Sequence, residues 1–89
     1  MSSVLVIEDE ENLARFVELE LQHEGYDTHV EDNGRSGLDI ALANDFDLIL
    51  LDLMLPELSG LEVARRLREE KNTPIIMMTA RDSVIDRVS

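Results

Sequence analysis

The sequence predicts an open α/β sheet of parallel strands, on three observations. Val4-Leu5-Val6-Ile7, Leu48-Ile49-Leu50-Leu51 and Ile75-Ile76-Met77-Met78 are strand-length apolar runs that do not alternate with polar residues, as in strands covered on both faces. Segments of helical period separate them. The only aromatics are Phe16, Tyr26 and Phe46, so the core is built from Leu, Ile, Val, Met and Ala, which suits helices packed on a sheet.

The elements follow in order. After the first run, Leu13, Phe16, Val17 and Leu21 stand at i, i+3, i+4 and i+8, an apolar helical stripe that Gly25 is placed to end. Residues 26–31 alternate, with Tyr26, Thr28 and Val30 on one side and Asp27, His29 and Glu31 on the other, the pattern of an edge strand. After the turn signal Asn33-Gly34, Leu38, Ala41 and Leu42 mark a second helix. A third helix starts at Ser59, with Ser59-x-x-Glu62 as a capping box. It buries Val63, Ala64 and Leu67 and leaves Arg65, Arg66 and Arg68 solvated, with Glu62 and Arg66 spaced for an i,i+4 pair. Thr73-Pro74 blocks continuation of that helix and opens the fourth strand. Asp82 reads as the N-cap of a last helix over residues 82–89, about two turns and too short to stand unless packed. Right-handed crossovers close these units into an open sheet. No repeat, low-complexity tract or linker divides the chain, so residues 1–89 read as one domain.

Composition excludes several roles. Eight Lys and Arg against 20 Asp and Glu give a formal charge of -12, which repels phosphate backbones, so no nucleic acid is expected on this segment. Without cysteine there is no disulfide scaffold or thiolate metal site, and a cytoplasmic location fits. Residues 1–7 are too short for a signal segment and no apolar stretch reaches membrane-spanning length.

Asp52 is the residue that demands an account, because it stands between the apolar runs 48–51 and 53–55, where an unpaired buried charge costs several kcal/mol. Ligands of such sheets bind beyond the carboxyl ends of the strands. Glu8 and Asp9 follow the first apolar run, Asp52 the second and Thr79 the third, so three carboxylates and a hydroxyl converge on one edge. Crowded carboxylates raise a pKa or recruit a cation, and an all-oxygen set favours a hard divalent ion such as Mg²⁺. Beside a metal, Asp52 can stay ionised and attack phosphorus. Singly, Asp52 reads as a turn residue, Thr79 as a strand-end hydroxyl, and Glu10 and Glu11 as an acidic first helical turn; the convergence sets Glu8, Asp9, Asp52 and Thr79 apart. His23 and His29, without partners nearby in sequence, read as solvated surface, and Met54, Met77 and Met78 as core or loop filler.

V-L-V-I-E-D-E, L-I-L-L-D-L-M-L-P-E-L-S-G and P-I-I-M-M-T-A resemble, in order and spacing, the receiver domains of bacterial two-component response regulators. The E-D-E and D-L-M-L-P forms look most like the OmpR/PhoB type and its branch containing CovR and ArlR. The resemblance implies a flavodoxin-like (CheY-like) doubly wound sheet of strand order 2-1-3-4. It implies that Asp52 accepts a phosphoryl group from a sensor histidine kinase. Glu8 and Asp9 would hold Mg²⁺ with Asp52 and the carbonyl of Met54, while the Thr79 hydroxyl and the N–H groups of Ala80 and Met54 would bind phosphoryl oxygens. Pro56 and Gly60 would shape the loop beside the site. The family's fifth strand, fifth helix and invariant lysine, and any DNA-binding domain, would lie beyond Ser89, so the resemblance reads the chain as a truncated receiver.

Two expectations follow from that truncation. Residues 75–78 become an exposed apolar edge, predicting a homodimer or higher oligomer through this strand or adjacent helices. The function expected is phosphoacceptance in signal transduction rather than enzymic turnover. An aspartyl-nucleophile phosphatase is the less favoured alternative, since Met54 occupies the position where such enzymes carry a general acid; at most slow autodephosphorylation is expected. An inactive binding or oligomerisation fragment of a longer regulator is the other alternative.

Overall fold

The structure, a computed structural model, describes residues 2–78 and the backbone of residues 85–88. Strands β1 (Ser3–Ile7), β2 (Asp27–Glu31), β3 (Leu48–Asp52) and β4 (Ile75–Met78) alternate with helices α1 (Glu11–His23), α2 (Gly34–Ala43) and α3 (Gly60–Arg68), and a last strand, β5 (Ile85–Val88), follows. The sheet order is β2-β1-β3-β4-β5. The first four strands are parallel, in the predicted order 2-1-3-4. No described helix is long and apolar enough to cross a membrane.

Each helix starts on a side chain that accepts its free first-turn N–H groups. Glu10 caps α1 through Asn12 and Leu13, Asn33 caps α2 through Ser36 at 2.8 Å, and Ser59 caps α3 through Glu62 at 3.3 Å. Only that half of the predicted capping box stands out, because the Glu62 carboxylate turns outward to Arg65 and Arg66. Their hydrogen bonds hold it down to about 2. Gly25 ends α1 at a φ of +92°, while its N–H donates to Gln22 O and that of Tyr26 to Leu21 O, the paired bonds of a Schellman cap.

The core lies between the sheet and α2 with α3. Leu5, Ile7, Ile49, Leu51, Ile75 and Met77 pack there against Leu38, Ala41, Val63 and Leu67. Val4 and Val6 are also buried, so β1 is covered on both faces. On β3 and β4 alternate residues stay half-buried, so the apolar runs there overstated how completely the second face is covered. Phe16, placed by its spacing on the buried stripe, is 61% exposed. The buried face of α1 instead centres on Ala14, with Val17 and Leu21 half-covered beside it.

The expected final helix is not formed where the residues are described. Residues 85–88 pair antiparallel with β4, Ile75 opposite Val88 and Met78 opposite Ile85; Asp82, the expected N-cap, lies outside the described residues. A two-turn helix without a packing surface is marginal, whereas this pairing satisfies a row of backbone groups on β4. The exposed β4 edge is therefore corrected too, since β4 has neighbours on both sides and the outer edge belongs to β5.

Candidate functional site

The carboxylates meet where the winding of the sheet reverses, between β1 and β3. Ile7 lies opposite Leu51, so the next residues, Glu8 and Asp52, emerge side by side. Glu8 is 2% exposed and Asp52 3%; Asp9 is exposed. One oxygen from each of the three lies within 4.8 Å of the others. Glu8 accepts the Glu10 N–H at 2.9 Å, and its own N–H continues the ladder to Glu31 O. The acid that the sequence assigned to a helical first turn, Glu10, is the α1 cap itself. Glutamate is not among the favoured capping residues, which hid that role.

Asp52 accepts the Met54 N–H at 3.3 Å. The Met54 side chain is 71% exposed, so the backbone, not the thioether, faces the site. The loop after β3 is tied down at both ends, by Leu53 N–H to Met78 O at 3.0 Å and by Gly60 N–H to Leu53 O at 2.9 Å. Gly60 serves close approach rather than an unusual angle: a Cβ there would stand 2.1 Å from Asp52 O. Between these ties, Leu58 N–H donates to Pro56 O at 2.8 Å around Glu57 at a φ of +68°. An i to i+2 bond about a positive φ marks the strained hand of the γ-turn.

Burial pushes the Glu8 carboxyl up to about 7, opposed by the Glu10 N–H and reinforced by Asp52 and Asp9. Burial also raises Asp52, against the Met54 N–H and a hydrogen bond from Glu8, which favour its charged form. Among the described residues no ion pair reaches Glu8, Asp9 or Asp52. Two buried carboxyls and an exposed one, all oxygen donors without a basic partner among these residues, fit a hard cation. A cleft of about 280 Å³ beside Glu8 and Asp9 opens the cluster to solvent, with Arg15 and Asp32 on its walls. A larger hollow of about 360 Å³ lies at the opposite ends of the strands, away from this chemistry.

Of the residues expected at the site, Glu8, Asp9, Asp52 and Met54 come together; Thr79 and Ala80 lie outside the described residues. His29, expected to lack a partner, bonds Glu31 at 2.6 Å. Residues two apart on a strand share a face, so the alternation of β2 already carried that pair.

A doubly wound α/β sheet with a carboxylate cluster at its topological switch point defines a domain with an acidic site at the strand ends. The chain belongs to the response regulator receiver domain family, whose sequence profile matches residues 4–89. Response regulator ArlR of Staphylococcus haemolyticus (strain JCSC1435) is 54% identical over 89 residues, which are 100% of this chain and 41% of that protein. Among solved structures, response regulator TrrA of Thermotoga maritima in complex with Mg²⁺-BeF superposes with a TM-score of 0.86 at 38% identity, over 92% of this chain and 72% of that one. A crystal structure of histidine kinase ThkA in complex with TrrA gives 0.84 at 40% identity, over 90% and 70%.

Proposed function

We propose that Asp52 is the phosphoacceptor of a two-component signalling relay, receiving a phosphoryl group from a sensor histidine kinase. The observation that carries this reading is a buried aspartate at the end of β3, beside buried Glu8 and exposed Asp9. TrrA, alike in fold and 38% identical, is solved with Mg²⁺-BeF and with a histidine kinase, which supports the same cofactor and partner here.

In this reading an Asp52 carboxylate oxygen bonds to phosphorus as the bond from phosphorus to the kinase imidazole nitrogen breaks, and the imidazole leaves with the electron pair. Glu8, Asp9, Asp52 and the Met54 carbonyl would hold Mg²⁺, which would supply the positive charge that such transfer requires. The Met54 N–H holds Asp52 in place, and with Ala80 N–H and the Thr79 hydroxyl it donates to the phosphoryl oxygens. Burial of Glu8 and Asp52 excludes water from the inner side of the cluster. Met54, two residues past Asp52, offers no side-chain acid or base to a hydrolytic water, so autodephosphorylation is slow and the domain is not an enzyme in its own right.

The wider setting belongs to the same proposal. The relay runs in the cytoplasm, and the longer protein passes the signal to a DNA-binding transcription-regulator domain outside these residues. This segment binds neither nucleic acid nor membrane. Self-association uses the helices beside the sheet edge, and a clean monomer on sedimentation of the dilute chain counts against it.

Intact mass after incubation with acetyl phosphate, with and without Mg²⁺ and beside Asp52→Asn, tests the proposal. The expected result is a Mg²⁺-dependent gain of one phosphoryl group, absent from the variant. A folded chain that gains none, or a variant that gains as much, overturns it and leaves an inactive binding fragment as the reading.

A further inference from the structure

Gly34, the first residue of α2, touches the β3–α3 loop more closely than any side chain allows. Its N–H, one of the free donors of the helix start, reaches across to Pro56 O at 3.2 Å. That same carbonyl accepts Leu58 N–H at 2.8 Å, so one oxygen both closes the γ-turn and anchors it to α2. A Cβ on Gly34 would stand 1.8 Å from Leu58 O and 2.7 Å from Leu58 C. Both are backbone atoms, which cannot swing aside as a flexible side chain does. The α2 start is itself fixed by the Asn33 cap on Ser36, so the loop would have to move.

The loop ends are held by Leu53 and Gly60, its middle is bent at Glu57 with φ +68°, and the Gly34 contact keeps that bend in place. Met54 lies between the held end and the clamped middle, and its N–H is a direct hydrogen bond on Asp52. We propose that Gly34 is a positioning residue for Asp52: by admitting the Pro56 and Leu58 backbone against α2, it sets the loop that aims the Met54 N–H at the acceptor carboxylate. The inference rests on the reading of Asp52 as phosphoacceptor for its kinetic half only; its structural half is a statement about the loop.

The test compares Gly34→Ala with Ala43→Gly in the full chain. Ala43 is an exposed residue at the far end of the same helix, where glycine weakens the helix without touching the loop. Two readouts are taken on folded protein: the amide resonances of Met54 and Glu57 by ¹⁵N–¹H NMR without metal, and the rate of phosphoryl gain from acetyl phosphate by intact mass. Gly34→Ala is expected to displace both resonances and to slow the gain about tenfold or more, as a misplacement near 1 Å does; Ala43→Gly is expected to change neither. Wild-type resonances in a folded Gly34→Ala chain overturn the inference. If the unsubstituted chain gains no phosphoryl group the proposed function fails, and the resonances still decide the loop. If Gly34→Ala leaves the chain unfolded, Gly34→Ala with Glu57→Gly relaxes the bend and is read at the Met54 resonance and in the phosphoryl gain, against Glu57→Gly alone. Failure of that pair to fold as well makes Gly34 a residue of the fold and overturns its positioning role.

Discussion

Replacing Glu8 by glutamine is expected to leave the metal-free protein unchanged only below about pH 4.5 and to stabilise it increasingly as pH rises from 5.5 to 8. Glu8 titrates near 7 in the folded chain against an ordinary 4.5, so between those values the folded state binds more protons than the unfolded one. Its contribution is then fully present below pH 4.5 and lost as pH rises through 7. At about 1.36 kcal/mol per pH unit the whole window is worth about 3 kcal/mol, of which about 2 kcal/mol falls between pH 5.5 and 8. Water entering by the adjacent cleft weakens the effect, so about 1–2 kcal/mol is expected, or roughly 4–15 °C in Tm for a domain of this size. Glutamine keeps the shape of the protonated acid and has no charge to gain, so Glu8→Gln loses this slope. Thermal and urea unfolding by circular dichroism in EDTA, from pH 5.5 to 8, measures both proteins. The chain's net charge of -12 tilts both curves alike, so the difference between them isolates Glu8. Parallel curves would refute the reasoning, for they would mean that the buried carboxyl titrates at its ordinary value.

Gly60→Ala should cost about 3 kcal/mol, the upper end for overpacking, since the new methyl meets the Asp52 carbonyl and the loop must shift; a urea midpoint within error of the parent's contradicts this. Glu57→Val should destabilise by about 1–2 kcal/mol because a β-branched residue resists the positive φ, whereas Glu57→Gly should not destabilise; denaturant midpoints of both decide. Lys71 Nζ bonds Ala41 O at 3.0 Å, Asn44 O at 2.6 Å and Asp45 Oδ1 at 3.2 Å, closing the C-terminus of α2. Lys71→Met should therefore cost about 1–2 kcal/mol and speed hydrogen exchange at Asn44, and unchanged exchange there would count against the clamp.

The apolar runs were legible as strands because burial on both faces leaves no period to misread, and β1 fulfils that in full. The convergence of Glu8, Asp9 and Asp52 was legible for a related reason: each closely follows the end of an apolar run, and parallel strands bring such ends together. Elements decided by competition were not legible. Residues 85–88 pair along their backbone with β4, a partner distant from the local signal for a helix that the sequence carries there. Phe16 satisfies the helical spacing of Leu13 and Val17, yet a stripe four residues wide has two margins, and the small Ala14 fixed which one faces the sheet. The approach of Gly34 to Leu58 O joins positions far apart in sequence, and a turn signal at Asn33-Gly34 cannot report what lies across from it.

The β1–β3 ladder has a consequence in time as well as in space. Glu8 and Asp52 become neighbours only when strands separated by α1, β2 and α2 have closed on each other in the register Ile7 to Leu51. Such closure spends the entropy of a long loop before its contacts repay it, which slows it relative to forming local contacts. A slip of one residue along the ladder would turn every side chain of β3 over and carry Asp52 away from the core side. The acidic cluster is thus a property of the closed ladder, and under the proposed function a phosphoryl donor would find its acceptor only on molecules in which β1 and β3 have paired in this register.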